Sequence, residues 1–292
     1  MTVINTNTAA TLTANALTKN ERAMSQAMER LSTGVRINSA SDDAAGLAIS
    51  SRMTSQVNGL NMAVRNGNDA ISMLQTADGA LVEVSNMLQR LREITVQASS
   101  GTNGATDITA LKTEFDALVA GIEDVADDTQ WNGANILNAA STKTFQVGAN
   151  ASQTIDYAFK NLQSGAGAGS ILGDLDIDAD GDVTDSASAI GDLNISTSSA
   201  SRIQALNGIS GAIDSVNAER AGIGATINRL EYAVDNLANV SQNTSASRSR
   251  ILDADYASET TELARTQIIQ QAGTAMLSQA NQQAQSVLAL LK

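Results

Sequence analysis

The chain has 292 residues, enough to bury a sizeable core, yet only 2% are aromatic and none is proline, a composition that suits long, parallel-sided helices rather than an irregular enzyme-like domain. Acidic residues outnumber basic ones 31 to 18, and the net charge of −13 argues against nucleic acid or an anionic membrane surface as partner. With no histidine and no cysteine, zincin motifs, Ser-His-Asp triads, thiol nucleophiles, thiolate metal sites and disulfides are excluded, and the expectation is a non-enzyme with no cofactor and no metal.

The N-terminal stretch MTVINTNTAATLTANALTKN lacks a basic region followed by an apolar run, so no secretory signal is expected. No apolar run approaches the roughly 18 residues of a membrane span. The first helical pattern runs from about Leu12 to Val35, with Leu17, Met24, Met28, Leu31 and Val35 on one face and Gly34 as its breaker. A second pattern follows SASDDAAG. Its seam reads Met53, Val57, Leu60, Val64, Gly67, Ile71, Leu74, Ala77, Leu81, Val84, Leu88, Leu91, Ile94, Ala98, a coiled-coil repeat with a phase slip between Leu74 and Ala77. The small residues Gly67, Ala70 and Ala77 beside that slip are expected to let neighbouring helices slide.

SSGTNGAT breaks the periodicity, and a third heptad follows at Ile108, Leu111, Phe115, Leu118, Ile122 and Val125. DDTQWNGANIL reads as a turn. The alternating stretches KTFQV and TIDYAF, separated by GANAS, predict a β-hairpin. Residues from Gly165 to about Ala200 carry seven aspartates and no basic residue, over half the net charge in a segment too small for its own core. Heptads resume at Ile203, Leu206, Ile209, Ile213, Val216, Ile223, Ile227, Leu230, Val234 and Leu237. After Ile251 a terminal helix places Leu277, Ala280, Ala284, Val287 and Leu291 on one seam. The pattern predicts a mainly α chain whose long antiparallel heptad helices form a coiled-coil-like bundle, with a small β-hairpin region and a short acidic insert. The closing leucines are expected to face Leu17, Met24 and Leu31. Periodicity alone leaves two readings open: an ordinary intramolecular bundle, or an apolar seam that identical chains cover.

Four stretches, LSTGVRINSASDDAAGLAISSRM, LQRLREITVQASSGTN, VGANASQTI and QAGTAMLSQANQ, closely resemble bacterial flagellin, and the likeness covers about residues 1–165 and 200–292 in order. INSASDDAAGLAIS followed by LQRLRE favours flagellin over its near relative, the hook–filament junction protein. A secreted helical adhesin is the alternative from another class. The resemblance implies a self-assembling filament subunit for swimming motility, exported unfolded through a type III apparatus and extracellular. It implies residues 1–42 and 253–292 as the two halves of an inner coiled-coil layer. Residues 43–165 would form outer-layer helices and the hairpin, 166–200 a variable acidic insert, and 201–252 the returning outer-layer helix.

Other copies of the chain, an export chaperone, and the filament cap and hook–filament junction proteins are the implied partners. Leu17, Met24, Met28, Leu31, Leu277, Val287, Leu288 and Leu291 are the implied self-assembly residues. Leu288, Leu290 and Leu291 also resemble leucines read by cytosolic flagellin sensors and by the chaperone. Arg90, Ile94 and Glu114 match positions through which some flagellins engage the flagellin-sensing Toll-like receptor, with Ile94 in place of a frequent Leu; the competing reading gives them to subunit contacts. DIDADGDVTDSA imitates a calcium loop at Asp176, Asp178, Asp180, Gly181 and Asp182, but position 187 is Ala where that loop needs a bidentate Glu, which favours a solvated acidic turn. Ser186, Ser188, Ser196, Thr197, Ser198 and Ser199 could carry O-linked glycans or form a plain polar loop.

Overall fold

The computed structural model describes residues 7–162, 195 and 199–289, apart from the side chains of 9, 199, 200 and 283–289. Five helices dominate: α1 (Thr8–Thr33), α2 (Ala44–Ala98), α3 (Ala105–Asp128), α4 (Ser199–Leu252) and α5 (Tyr256–Ala289). Between α3 and α4 lie β1 (Gln130–Trp131), β2 (Ala134–Asn135), β3 (Ser141–Gln146) and β4 (Thr154–Phe159). The chain divides into two compact units, one of residues 1–57 with 241–292 and one of residues 58–240. The acidic insert at 166–200 falls outside the described residues except at Ile195 and the start of α4, and so do the calcium-like loop and the candidate glycan sites at 186–198.

In the first unit, α1 and α5 pair antiparallel with their backbones close. Asn7 caps α1 by accepting the Ala10 N–H at 3.0 Å, while its amide donates to Ala280 O at 3.2 Å. Gly34 ends α1 with φ +73°, a conformation glycine adopts without a Cβ penalty, and its N–H closes on Arg30 O at 2.9 Å. The two turns next to the pair are stitched together: Val35 bridges Asp253, Arg36 N–H donates to Leu252 O at 2.6 Å, and Ala254 N–H donates to Gly34 O at 3.0 Å. The SASDD sequence is a capping segment. Asp42 Oδ2 accepts the Asn38 and Ser39 N–H groups at 3.2 and 3.0 Å, and its Oδ1 accepts Gln26 Nε2 of α1 at 2.9 Å. The Ser39 backbone bond, more than any other influence, holds the Asp42 carboxyl below its ordinary pKa. Asp43 then caps α2 by accepting the Gly46 N–H at 2.8 Å.

The core of the second unit is a heptad stripe on α2 that runs without interruption: Leu60, Ala63, Gly67, Ala70, Leu74, Ala77, Leu81, Val84, Leu88, Leu91, Thr95 and Ala98 are all buried. The phase slip expected near Leu74 is therefore absent. The larger Val64 and Ile71 are only half-buried, and their neighbours Ala63 and Ala70 take the seam positions, which restores the strict repeat. On α4 the stripe is Ala205, Ile209, Ala212, Val216, Glu219, Ile223, Thr226 and Leu230, while Ile203 is exposed. Phe115, Val119, Ile122 and Ala126 of α3 join the same core. Asn132 and Gly133, with φ of +51° and +79°, make the tight turn joining β1 to β2. The expected hairpin pairs β3 with β4 in the register Phe145↔Ile155 and Lys143↔Tyr157, so Ile155, Tyr157 and Phe159 alternate into the core. Ile195, inside the segment expected to have no core, is fully buried among these residues.

Candidate assembly interface

The α1·α5 seam is built from small and polar residues as much as from leucines. On α1 the covered heptad is Ala10, Thr13, Leu17, Asn20, Met24, Ala27 and Leu31. On α5 it is Glu259, Leu263, Thr266, Gln270, Gly273, Leu277 and Ala280. Three polar links fix the register. Arg30 Nη1 pairs with Glu259 Oε1 at 3.0 Å, Asn20 Nδ2 donates to Thr266 O at 2.7 Å, and Asn7 ties to Ala280 O. Glycine at 273 admits the close approach, since a Cβ placed there would sit 3.0 Å from Leu17 Cδ1.

Of the residues expected to mediate assembly, Leu17, Met24, Leu31 and Leu277 are half-buried within this pair. Met28 departs from the expected face: it is 55% exposed, because Ala27 and Leu31 occupy the covered positions on either side of it. Gly273 and Leu277, not the end of α5, lie at the level of Leu17, so Val287 and Leu288 fall beyond the seam of Leu17, Met24 and Leu31. Asn7 already meets Ala280 in this register, and α5, with 34 residues against 26 in α1, runs on beyond it. Val287 and Leu288 continue that helix with side chains outside the described set, and Leu291 is outside it altogether.

The outward faces of the pair carry the large apolar residues. Leu12 is 73% exposed, Ile268 66%, Met276 60% and Ile269 42%. Charge and helix periodicity alone would hide this, since α5 has apolar residues on several sides.

In the other unit, Arg90 of α2 is clamped between two carboxylates. Its Nη2 and Nε donate to Glu114 Oε1 at 2.8 and 3.0 Å, and its Nη1 donates to Glu93 Oε2 at 2.9 Å. The Glu114 bonds, then those to Glu93, raise its pKa further, so the fork is permanently cationic. Arg90 and Glu114 are about half exposed, with side-chain values of 50% and 45%. Ile94 cannot share a contact surface with them in the folded chain: it is 0% exposed, packed in the α2 stripe. An open groove of about 760 Å³ runs beside this cluster, lined by Gln89, Arg92, Val96, Ser210, Ile213 and Asp214.

Sequence reading missed two polar features in the interior. Asn20 occupies a buried heptad position, where an amide carries no hydropathy signal. Glu219 occupies a core position of α4, where Tyr157 Oη donates to its Oε1 at 2.6 Å and Lys160 Nζ approaches its Oε2 at 4.0 Å. Desolvation, followed by the Glu219 bond and charge, pushes the Tyr157 hydroxyl pKa well up. No helix among the described residues is long and apolar enough to cross a membrane.

Residues 4–142 match the bacterial flagellin N-terminal helical region, and residues 206–291 match the bacterial flagellin C-terminal helical region. The chain is 43% identical to a flagellin of Halalkalibacterium halodurans over 91% of both chains. It is 41% identical to a flagellin of Bacillus subtilis over 99% of both. A crystal structure of Bacillus cereus flagellin is similar with a TM-score of 0.46 and 27% identity, covering 59% of this chain and 88% of that one.

Proposed function

The chain belongs to the bacterial flagellin family, and we propose that the outer faces of its α1·α5 pair are where one copy meets the next. The protein is a structural subunit that self-assembles into the extracellular flagellar filament for swimming motility. The proposal rests on one observation: Leu12, Met28, Ile268, Ile269 and Met276 are exposed on a helix pair whose covered seam mixes leucines with alanine, threonine, asparagine, glutamine and glycine. Covering a large aliphatic side chain contributes about 1.5–3 kcal/mol, so several such residues supply the free energy of a lattice contact.

In this reading Leu17, Met24, Leu31 and Leu277 act at one remove. They hold α1 against α5 and so present the outer faces, whereas Met28 is itself a contact residue. Val287, Leu288 and Leu291 extend the α5 contact towards its end. Arg90 and Glu114 are the polar part of a surface for the flagellin-sensing Toll-like receptor, a role supported by their exposure and by the fixed fork of the guanidinium. The export chaperone, the filament cap and the hook–filament junction protein complete the set of proposed partners.

The test is polymerisation on filament fragments, followed by electron microscopy, of a chain carrying Ile268→Ser with Met276→Ser. Loss of even ~1.4 kcal/mol of contact raises the concentration needed for growth about tenfold. Growth at the parent concentration, with unchanged filaments, would move the contacts off this face.

A further inference from the structure

We propose that Met28 and Met276 are a peroxide-sensitive modification site, and that oxidation of their thioethers in the unassembled chain disables the faces through which it joins a filament. The inference rests on the proposed contact role of those faces and adds to it a chemistry that controls them. Seven methionines lie among the described residues, and their surroundings differ. Met73 is buried, and Met24, Met53 and Met87 are half-buried. Met62 on α2 is 47% exposed, but its sulfur accepts a hydrogen bond from Arg65 Nη2 at 2.7 Å. Met28 and Met276 are more open, at 55% and 60%, and neither sulfur has a partner among the described residues. The chain has no cysteine, so no thiolate competes for the oxidant.

The reaction needs only hydrogen peroxide. A sulfur lone pair attacks one peroxide oxygen, the S–O bond forms as the O–O bond breaks, and the departing hydroxide takes the hydroxyl proton and leaves as water. The thioether gives up two electrons and becomes a sulfoxide, and the peroxide receives them. The rate follows access to the sulfur. At Met73 the sulfur is enclosed, and at Met62 a lone pair is engaged by a guanidinium. The two open sulfurs therefore coincide with the outer faces of the α1·α5 pair, one on each helix. Oxidation changes what those faces can do. A thioether is apolar and its unbranched side chain adapts to an uneven partner surface. A sulfoxide oxygen is a strong acceptor, and covering it without a donor costs the desolvation of a polar group. The seam itself is untouched, because Ala27 and Leu31 on one helix, and Gly273 and Leu277 on the other, cover it. The folded pair is kept while its outer faces turn polar.

The test treats the soluble chain with hydrogen peroxide and follows each methionine by peptide mass spectrometry, with assembled filaments treated in parallel. Met28 and Met276 are expected to gain oxygen ahead of Met62 and well ahead of Met73, and to be shielded in the filament. The treated chain should keep its circular dichroism spectrum yet elongate parent filament fragments about tenfold more slowly. Methionine sulfoxide reductase should restore the rate, an arm that needs no variant. Met28→Leu combined with Met276→Leu, a nearly volume-conserving change, should elongate at the parent rate with or without peroxide. Met62→Leu, away from those faces, should leave the sensitivity as it is in the parent. Oxidation of Met62 or Met73 as fast as that of Met28 and Met276 would overturn the inference, and so would an equal loss of growth in the doubly substituted chain after peroxide. Selective oxidation of the two with unimpaired elongation would place the modification where proposed and overturn instead the contact role on which its effect depends.

Discussion

Gly67 offers a sharp test of how the second unit is packed. It lies on the buried stripe of α2, and a Cβ built on it would stand 2.5 Å from Val234 Cγ2 of α4. Carbon atoms in contact prefer about 3.5–4.0 Å, so Gly67→Ala demands a displacement of roughly 1 Å. Valine cannot readily give way, because a β-branched side chain on a helix has one strongly preferred rotamer. Overpacking of this kind costs about 1–3 kcal/mol, against the ~1 kcal/mol that alanine gains over glycine within a helix. The expected net effect is a loss of about 1 kcal/mol, or a melting temperature lower by about 2–4 °C for a chain of this size.

The same helix contains its own control. Gly79 is exposed with nothing within 4 Å of a built Cβ, so Gly79→Ala should stabilise by close to the full ~1 kcal/mol. The two substitutions are chemically identical and should have opposite signs in thermal unfolding followed by circular dichroism. Adding Val234→Ala to Gly67→Ala should reverse part of the loss, as expected of residues in contact. If Gly67→Ala raises the melting temperature as much as Gly79→Ala does, the close approach of α2 to α4 at this level is wrong.

Tyr157 predicts an alkaline dependence. Its pKa is raised in the folded chain, so above about pH 10 the unfolded chain loses the phenolic proton while the folded chain keeps it. Stability is then fully present below pH 10 and falls as the pH rises beyond it, by about 1.4 kcal/mol per pH unit. Tyr157→Phe should lower stability at pH 7 by roughly 1.5–3 kcal/mol through loss of a hydrogen bond to a charged group, and should flatten the alkaline slope; a slope equal to the parent's in thermal melts between pH 9 and 12 would count against the Tyr157–Glu219 link. For the acidic segment, replacing residues 174–192 with a short Gly-Ser linker should leave filament growth intact and make the surface less acidic, because the heptads on either side are untouched. Failure to form filaments would give that segment a place in subunit contacts.

The length and order of the helices were legible because 3.5-residue periodicity survives over dozens of residues, with Gly34, SSGTNGAT and the Asn132–Gly133 turn marking the ends. The exact seam was not. A heptad leaves two adjacent residues close to the interface at each step, and size alone favours Val64, Ile71, Met28 and Leu206 when the chain covers Ala63, Ala70, Ala27 and Ala205. Glu219 and Thr226 escaped for the complementary reason: polar side chains in a core stripe carry no hydropathy signal, and they are tolerable there only because Tyr157 and the Gly222 carbonyl complete their hydrogen bonds.

These departures share a direction, and the direction has a physical meaning. In a monomer, exchanging an inward alanine for an outward methionine or isoleucine gives up apolar burial for nothing, so size is a fair guide to which residue faces in. In a chain that polymerises, a second surface competes for the same residues. Small side chains on the inner seam let α1 approach α5 closely enough for Asn20 to reach a backbone carbonyl, and under the proposed contacts the large outward ones are what a neighbour covers. On the contacts proposed for the outer faces, Met28 beside Ala27, and Ile268 and Ile269 near Thr266, are a sequence signature of the polymer, in a repeat that cannot by itself say which of two adjacent residues belongs to which contact.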